Sequence, residues 1–187
     1  MAKDSAELAL HVAPAQEGDT ALVLTFVTEL AEYERLAHEV IATEADIRAA
    51  LFGRDPSAHA VIGYANAEPA GFALYFFSFS TFVGRPGLYL EDLYVRPMFR
   101  GRGLGRRLLA HLARVAVEKN CGRMEWAVLD WNEQALGFYR GLGARPMDEW
   151  TVQRLTGEAL RSLAATAPAV RPPSGPSPDR SGPARSR

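Results

Sequence analysis

Residues 94–107 have the sequence YVRPMFRGRGLGRR, in which a predicted β-strand ends and a predicted amphipathic helix begins. Three glycines at this junction leave room for backbone N–H groups to meet a ligand, because glycine has no Cβ. The N-terminus of the following helix adds positive potential, and four nearby arginines increase the affinity for phosphate. The stretch therefore predicts an anion-binding site suited to a phosphate ligand.

Two common phosphate motifs fit this turn poorly. A nucleoside-triphosphate loop requires Gly-Lys-Ser/Thr, whereas Gly105 is followed here by Arg106-Arg107. A dinucleotide-binding fingerprint requires a glycine at position 106, which is arginine. From the residues alone, a surface turn with solvated arginines stays an alternative.

The stretch Arg100–Gly105 resembles the Arg/Gln-x-x-Gly-x-Gly/Ala signature of the GNAT N-acetyltransferases, which binds the pyrophosphate of acetyl-CoA. Residues 89–95, 128–132 and 138–144 are similar to the diamine acetyltransferase branch of that family. Within the branch, Ser80–Gly84 and Leu129–Asn132 look most like the thialysine N-epsilon-acetyltransferase form rather than the spermidine/spermine form. The resemblance extends from about residue 8 to residue 163.

The resemblance implies a role for each residue that matches the family's motifs. It implies that Tyr139 protonates the departing coenzyme thiolate and that Glu91 contacts the amine and accepts its proton, directly or through water. A packing role for Tyr139 and an exposed strand position for Glu91 are the alternatives. The implied coenzyme-binding residues are Leu93, Tyr94, Val95, Arg100, Gly101, Arg102, Gly103, Leu104, Gly105, Arg106, Asn132, Glu133, Gln134, Ala135 and Tyr139. The implied acceptor-binding residues are Tyr33, Glu34, Glu91, Asp92, Glu125, Trp126 and Ala127.

Two of these assignments carry a structural expectation. Adjacent residues on a strand point to opposite faces, so we expect at most one of Glu91 and Asp92 to face a given pocket. Asn132 can also cap the helix that follows Trp131, and capping alone would explain its presence.

The periodicity of apolar residues predicts an α/β (α+β) chain with a mixed sheet flanked by helices. The resemblance implies that this is the GNAT fold, with a central mixed, mostly antiparallel sheet. The predicted order is βααβββαβαβ. Strands are predicted at 7–12, 58–65, 70–79, 88–95, 124–129 and 150–155, and helices at 22–33, 43–52, from 105 onward, and at 133–141. Hairpin turns are predicted at 66–69 and 84–87.

Composition sets the class of protein. The chain of 187 residues is 48% hydrophobic and 23% charged, with a net charge of −1, which is typical of one soluble globular domain and argues against a nucleic-acid binder. No apolar run reaches the ~18 residues of a membrane span, and acidic residues near the start argue against a signal peptide. We therefore expect a cytoplasmic protein that binds neither nucleic acid nor membrane. Residues 164–187, rich in Pro, Ser, Ala and Arg, are predicted to be a disordered tail after a domain at 1–163.

The chemistry implied is acetyl transfer from acetyl-CoA to a primary amine, for which we expect no metal. Glu34 and Glu91 suit an amine acceptor. Ser80 and Thr81 stand where polyamine-acting relatives carry an acid, which favours a lysine-like amino acid over a long polycation. Alternative acceptors are protein N-termini, protein lysines and aminoglycosides, and a non-catalytic acyl-CoA-binding module is the alternative of another class. Relatives in this branch form dimers, which implies that this chain forms a homodimer.

Overall fold

The computed structural model describes residues 8–168. Apart from short 3-10 turns, that part of the chain forms five strands and five α-helices. The strands are β1 (Leu10–Pro14), β2 (His59–Ala65), β3 (Glu68–Ser80), β4 (Arg85–Val95) and β5 (Arg123–Trp126), and the helices are α1 (Thr20–Tyr33), α2 (Glu44–Phe52), α3 (Leu104–Glu118), α4 (Glu133–Arg140) and α5 (Gly157–Ala165). The chain divides into two compact units, the first ending at Leu136 and the second beginning at Gly137.

The first unit is built on one five-stranded sheet in the order β1-β2-β3-β4-β5. Strands β1 to β4 form three antiparallel pairs, whereas β5 runs parallel to β4. A parallel neighbour requires a crossover connection, and α3 supplies it. The predicted class, a mixed and mostly antiparallel sheet with helices against it, is confirmed.

Helices α1 and α2 cover one face of the sheet. Ile62, Phe72 and Tyr94 lie side by side in register across β2, β3 and β4. Phe26 of α1 stacks on Phe72 with 5.5 Å between ring centroids, and both side chains are fully buried. Burial of aromatic side chains on this scale stabilises the fold by roughly 2–3 kcal/mol each.

Helix α3 packs against the opposite face. Leu104, Leu108 and Leu112 recur at helical spacing and are completely buried. Gly63 lies next to Ile62 on β2 and therefore points to the other face, where a Cβ would come within 3.0 Å of Leu104 Cδ1. Because the first residue of α3 is fixed against β2 in this way, the glycine turn before it is held at the end of the sheet.

Most predicted elements are confirmed, with shifted ends. Thr43 caps α2 by accepting a hydrogen bond from the Asp46 N–H, as helix-start rules lead one to expect. Strand β1 begins at Leu10, three residues later than predicted, and residue 7 lies outside the described part. Strand β5 ends at Trp126, three residues before its predicted end.

In the second unit the predicted strand at 150–155 is wrong. Trp150 and Val152 alternate with polar residues as in a strand, but they are 70% and 84% exposed, and the described chain offers this segment no pairing strand. Without a neighbour to accept its backbone hydrogen bonds, an alternating sequence does not form a strand. Helix α5 follows instead and runs to Ala165, two residues into the predicted tail; residues 169–187 lie outside the described part.

Candidate active site

The glycine turn connects β4 to α3 in a conformation that only glycine adopts easily. Gly101 has φ +72° and Gly103, the N-cap of α3, has φ +90°. A Cβ on either residue would meet no atom within 4 Å, so both open onto free space. The first N–H groups of a helix have no intrahelical acceptor, and here they follow directly on these two glycines. The geometry therefore fits the predicted anion site.

The predicted phosphate-binding arginines differ in their surroundings. Arg102 and Arg106 are exposed. Arg100 instead folds back: its Nε donates to the Val95 carbonyl at 2.8 Å, and its guanidinium carbon lies 4.3 Å from the centroid of the Tyr33 ring. Arg100 thus stabilises the turn through contacts within the protein, while Arg102 and Arg106 face solvent.

Strand β4 extends past the end of its neighbour β5. Strand β5 pairs only with residues 87–90 and ends at Trp126, whereas β4 continues to Val95. Within residues 8–168, no strand pairs with 91–95 on the β5 side. Leu93, Tyr94 and Val95 therefore keep an open backbone edge directly before the glycine turn. The early end of β5, which differs from the prediction, creates this opening.

A β-bulge lies at Glu91. Leu74 and its neighbour Tyr75 on β3 pair with Asp92 and Leu90, so Glu91 has no partner on β3. Adjacent β3 residues point to opposite faces, and their partners Asp92 and Leu90 therefore do so too. The expectation that Glu91 and Asp92 face opposite ways rests on regular alternation, which the bulge breaks.

The predicted acids interact with one another. Burial, together with the negative charges of Glu91 and Glu34, raises the pKa of Asp92 to about 6. Burial also raises the pKa of Glu34, the C-cap residue of α1. A carboxylate held in this way is a stronger base than an exposed one, and an ammonium group placed among these acids would relieve their repulsion.

A model of the Acetyltransferase (GNAT) family matches residues 24–144. The chain belongs to this family. It is similar to thialysine N-epsilon-acetyltransferase of Bos taurus, with 41% identity over 80% of this chain and 94% of that protein. It is also similar to L-ornithine N5-acetyltransferase of Arabidopsis thaliana, with 28% identity over 78% of this chain and 83% of the relative.

A solved structure has a similar fold. An integron cassette protein of V. cholerae has a TM-score of 0.70 and 26% identity, covering 84% of this chain and 98% of that one. The chain is thus an enzyme of the GNAT family that transfers an acetyl group, and its relatives support transfer to amines of small molecules. Members of the family use acetyl-CoA as co-substrate.

The end of α1 meets the start of α4 in this acetyltransferase. Asn132 Oδ1 accepts the Ala135 N–H at 3.2 Å, which confirms the predicted cap. The same oxygen accepts a long hydrogen bond of 3.5 Å from the Tyr33 hydroxyl, and the Tyr33 ring lies 6.0 Å from that of Trp131. Tyr33 therefore contacts both the α4 cap and Arg100. Glu133 and Gln134 of the first turn are exposed, and Ala135 is half-buried.

The remaining predicted residues lie on β5 and α4. Glu125 forms a 2.7 Å ion pair with Arg123, Trp126 is the half-buried last residue of β5, and Ala127 is exposed. Tyr139 is the seventh residue of α4 and belongs to the second unit, where its ring lies 5.3 Å from that of Phe138. The acids, Tyr33, Asn132 and the glycine turn all belong to the first unit.

One residue next to the candidate site was not predicted. Arg96, directly after β4, binds Glu29 of α1 through Nε and Nη2 at 2.7–3.2 Å and donates from Nη1 to the Pro69 carbonyl at 3.0 Å. Its guanidinium carbon lies 4.8 Å from the Phe26 ring centroid. Arg96 therefore anchors the start of the glycine turn to α1. Glu29 is 67 positions away, and no local motif connects the two.

Two features are absent from the described residues. No helix in residues 8–168 is long and apolar enough to cross a membrane. The same residues contain no group of three or more His, Cys, Asp or Glu side chains positioned to hold a metal ion.

Proposed function

We propose that this acetyltransferase moves the acetyl group of acetyl-CoA to the primary amine of a small, lysine-like amino acid by direct attack. The observation that carries the proposal is the position of the acids: Glu91 and Asp92 lie on β4 directly before its open edge, which leads into the glycine turn. One strand thus places groups suited to an amine beside groups suited to a phosphorylated coenzyme.

The coenzyme half of the site uses backbone groups and arginines. The amides that follow Gly101 and Gly103, including those of Leu104, Gly105 and Arg106, would receive the pyrophosphate. Arg102 supplies exposed positive charge, and Arg100 would donate from its Nη groups while its Nε holds the Val95 carbonyl. The open edge of Leu93, Tyr94 and Val95 suits the amide-containing arm and the acetyl carbonyl of the co-substrate.

The acceptor half must remove a proton from an ammonium group. In this proposal Glu91 contacts the amine, and Asp92 shares the proton acceptance because its pKa of about 6 lies closer to that of an amine than an ordinary carboxylate's does. Glu34 adds negative charge from the end of α1. Tyr33, Trp126 and Ala127 complete the lining, and Glu125 lies at its far end.

The departing thiolate needs a proton donor, and the proposal assigns this role to Tyr139. A phenol of pKa ~10 can donate as charge develops on a thiolate of pKa near 8–9. Asn132, Glu133, Gln134 and Ala135 at the start of α4 would line the coenzyme arm. The cap that Asn132 forms keeps that helix start in place.

The proposal extends to the assembly and location of the protein. We propose a cytoplasmic homodimer whose functional unit is residues 1–163, with no membrane or nucleic-acid partner. At the end of the β3–β4 hairpin, Phe79, Phe82 and Val83 are 64%, 94% and 52% exposed, and large apolar side chains exposed together favour a protein partner. Sedimentation of the Phe79→Ser/Phe82→Ser protein, expected to be monomeric and still folded, tests this.

The decisive experiment follows release of free thiol from acetyl-CoA with thialysine, lysine, ornithine, diamines, spermidine and spermine as acceptors. Thialysine or another short amino-acid amine is expected to have a higher kcat/KM than spermine, because a distant ammonium group would find fewer acids near Ser80 and Thr81. A tenfold preference for spermine would contradict the amino-acid assignment. Coenzyme binding without turnover on any amine, including peptide N-termini and aminoglycosides, would favour an acyl-CoA-binding module instead.

A further inference from the structure

An ion pair on β5 has no part in the proton transfers proposed above. Arg123 Nε lies 2.7 Å from Glu125 Oε2, and the two side chains are 45% and 36% exposed. Ion pairs this exposed contribute little to the free energy of folding. The pair can therefore bind a ligand without a large cost to the fold.

The ion pair lies on the same face of the sheet as Asp92. Glu125 is in register with Tyr89 of β4, whose ring stacks on Phe76 of β3 with 5.1 Å between centroids. Phe76 is two residues from Leu74, the β3 partner of Asp92. Because residues two apart on a strand share a face, Phe76, Tyr89 and Glu125 form a row beside Asp92. Arg123, two residues before Glu125, extends the row.

Two serines lie near Arg123 in the sheet. Arg123 Nη1 donates to Ser80 Oγ at 3.4 Å. Gly87 lies between Arg123 and Ser78 in the register of the sheet, and Ser78 Oγ is buried without a hydrogen-bond partner in the described residues. A guanidinium group beside the Ser80 hydroxyl is suited to a carboxylate, which accepts hydrogen bonds from both kinds of group.

The distances along the sheet match a lysine-like molecule. Two to three residues of β4 separate Asp92 from the row that contains Glu125, which is about 7–10 Å along the strand. The five bonds from the side-chain amine of lysine to its α-carbon span about 6 Å. An acceptor with its reacting amine at Asp92 would therefore bring its α-carbon near Arg123 and Glu125.

We propose that Arg123, with the Ser80 hydroxyl, binds the α-carboxylate of an amino-acid acceptor and that Glu125 binds its α-ammonium group. Phe76 and Tyr89 pack against the methylene chain between the two ends. The ion pair is thus complementary to a zwitterion, and Arg123 repels the second ammonium group that a polyamine would place there. This inference rests on the proposed function, since it takes the reacting amine to lie at Asp92.

Two acceptors that differ only in the α-carboxylate, lysine and cadaverine, test the role of Arg123. In Arg123→Gln the kcat/KM for lysine is expected to fall about tenfold to hundredfold, mainly through KM, while that for cadaverine stays the same or rises. In Glu125→Gln the kcat/KM for lysine is expected to fall, but that for Nα-acetyl-lysine, which has no α-ammonium group, should not. Arg114→Gln is the control, because Arg114 forms an ion pair with Glu118 on α3, away from the sheet face that carries Arg123.

The outcomes separate this inference from the proposed function. An equal loss for lysine and cadaverine in Arg123→Gln, or equal kcat/KM for the two in the wild-type enzyme, would overturn the carboxylate site while acetyl transfer stands. Calorimetric titration with lysine gives a readout independent of turnover, and Arg123→Gln is expected to bind lysine more weakly than the wild type does. If lysine binds through Arg123 but is never acetylated, the proposed function is wrong and the binding site stands.

Discussion

Leu90 and Asp92 lie on opposite faces of the sheet although only Glu91 separates them along β4. Leu90 is 1% exposed in the core on the α3 side, while Asp92 lies among Glu34 and Glu91. In a regular strand Leu90 and Asp92 would point to the same face. Either Asp92 would then lie in the core on the α3 side, or Leu90 would lie in the candidate site. The bulge resolves this conflict, and its consequence is an acid held at an unfavourable, mostly buried position.

Asp92→Asn should increase stability at neutral pH. The native pKa of about 6 exceeds the ~3.9 of an unfolded aspartate. As the pH falls, the native state therefore binds a proton before the unfolded state does. The free energy of unfolding due to this group therefore rises as the pH decreases from about 7 to about 4. Urea unfolding should show the Asn variant more stable by about 2 kcal/mol at pH 7.5 and equal to wild type at pH 4.

The same substitution should remove part of the pH dependence of activity. In the wild type, kcat/KM is expected to rise through pH 6 as Asp92 ionises and to rise again as the amine deprotonates; the variant should keep only the second rise. Asp55→Asn, at an exposed carboxylate, is the control for both measurements. A variant less stable than wild type at pH 7.5 would contradict the assigned burial cost.

Gly103→Val should weaken coenzyme binding while leaving the fold intact. A branched side chain at φ +90° would strain the turn and obstruct the amides at the start of α3. We expect the dissociation constant for acetyl-CoA, measured by calorimetry, to rise more than tenfold. Gly84→Val is the matched control, because Gly84 also has a positive φ of +67° and open space where a Cβ would lie, but it belongs to the hairpin turn. Similar affinities in both variants would refute the phosphate site.

Arg96→Lys should loosen the glycine turn. Lysine keeps the charge but cannot reproduce the paired hydrogen bonds to Glu29, the bond to the Pro69 carbonyl and the stacking on Phe26 together. The free energy of unfolding should fall by about 1–2 kcal/mol, because the Arg96 and Glu29 side chains are only 25% and 27% exposed. The KM for acetyl-CoA should rise, because the glycine turn is held less firmly. Arg48→Lys, whose ion pairs are more exposed, should change stability by less than about 0.5 kcal/mol. Equal effects at the two positions would contradict the anchoring role.

Local patterns in the sequence predicted what depends on local physics. The glycine turn, the Thr43 cap and the apolar stripe of α3 are properties of neighbouring residues, and each appears within about one residue of its predicted place. The Asn132 cap is equally local. These elements fix one side of the candidate site, namely the coenzyme turn and the start of α4.

Non-local pairings could not be predicted in the same way. Leu88, Leu90, Asp92 and Tyr94 are spaced two residues apart, as on one face of a regular strand. Only the register of β4 against β3 reveals the bulge. The strand predicted at 150–155 failed for the same reason, since a strand depends on a partner far along the chain. Long-range contacts such as that between Arg96 and Glu29 also leave no local pattern.

Tyr139→Phe should slow chemistry without weakening binding. The substitution removes one hydroxyl, and the packing of the ring against Phe138 should survive it. If the phenol protonates the thiolate, kcat should fall by roughly 10²-fold or more while the dissociation constants of acetyl-CoA and the amine stay within twofold. Tyr64→Phe, at a ring stacked on His11, controls for the loss of a tyrosine hydroxyl elsewhere. Single-turnover measurements are required, because slow product release would mask a slower chemical step. A fall in the single-turnover rate of less than about threefold would mean that Tyr139 is a packing residue and that water protonates the thiolate.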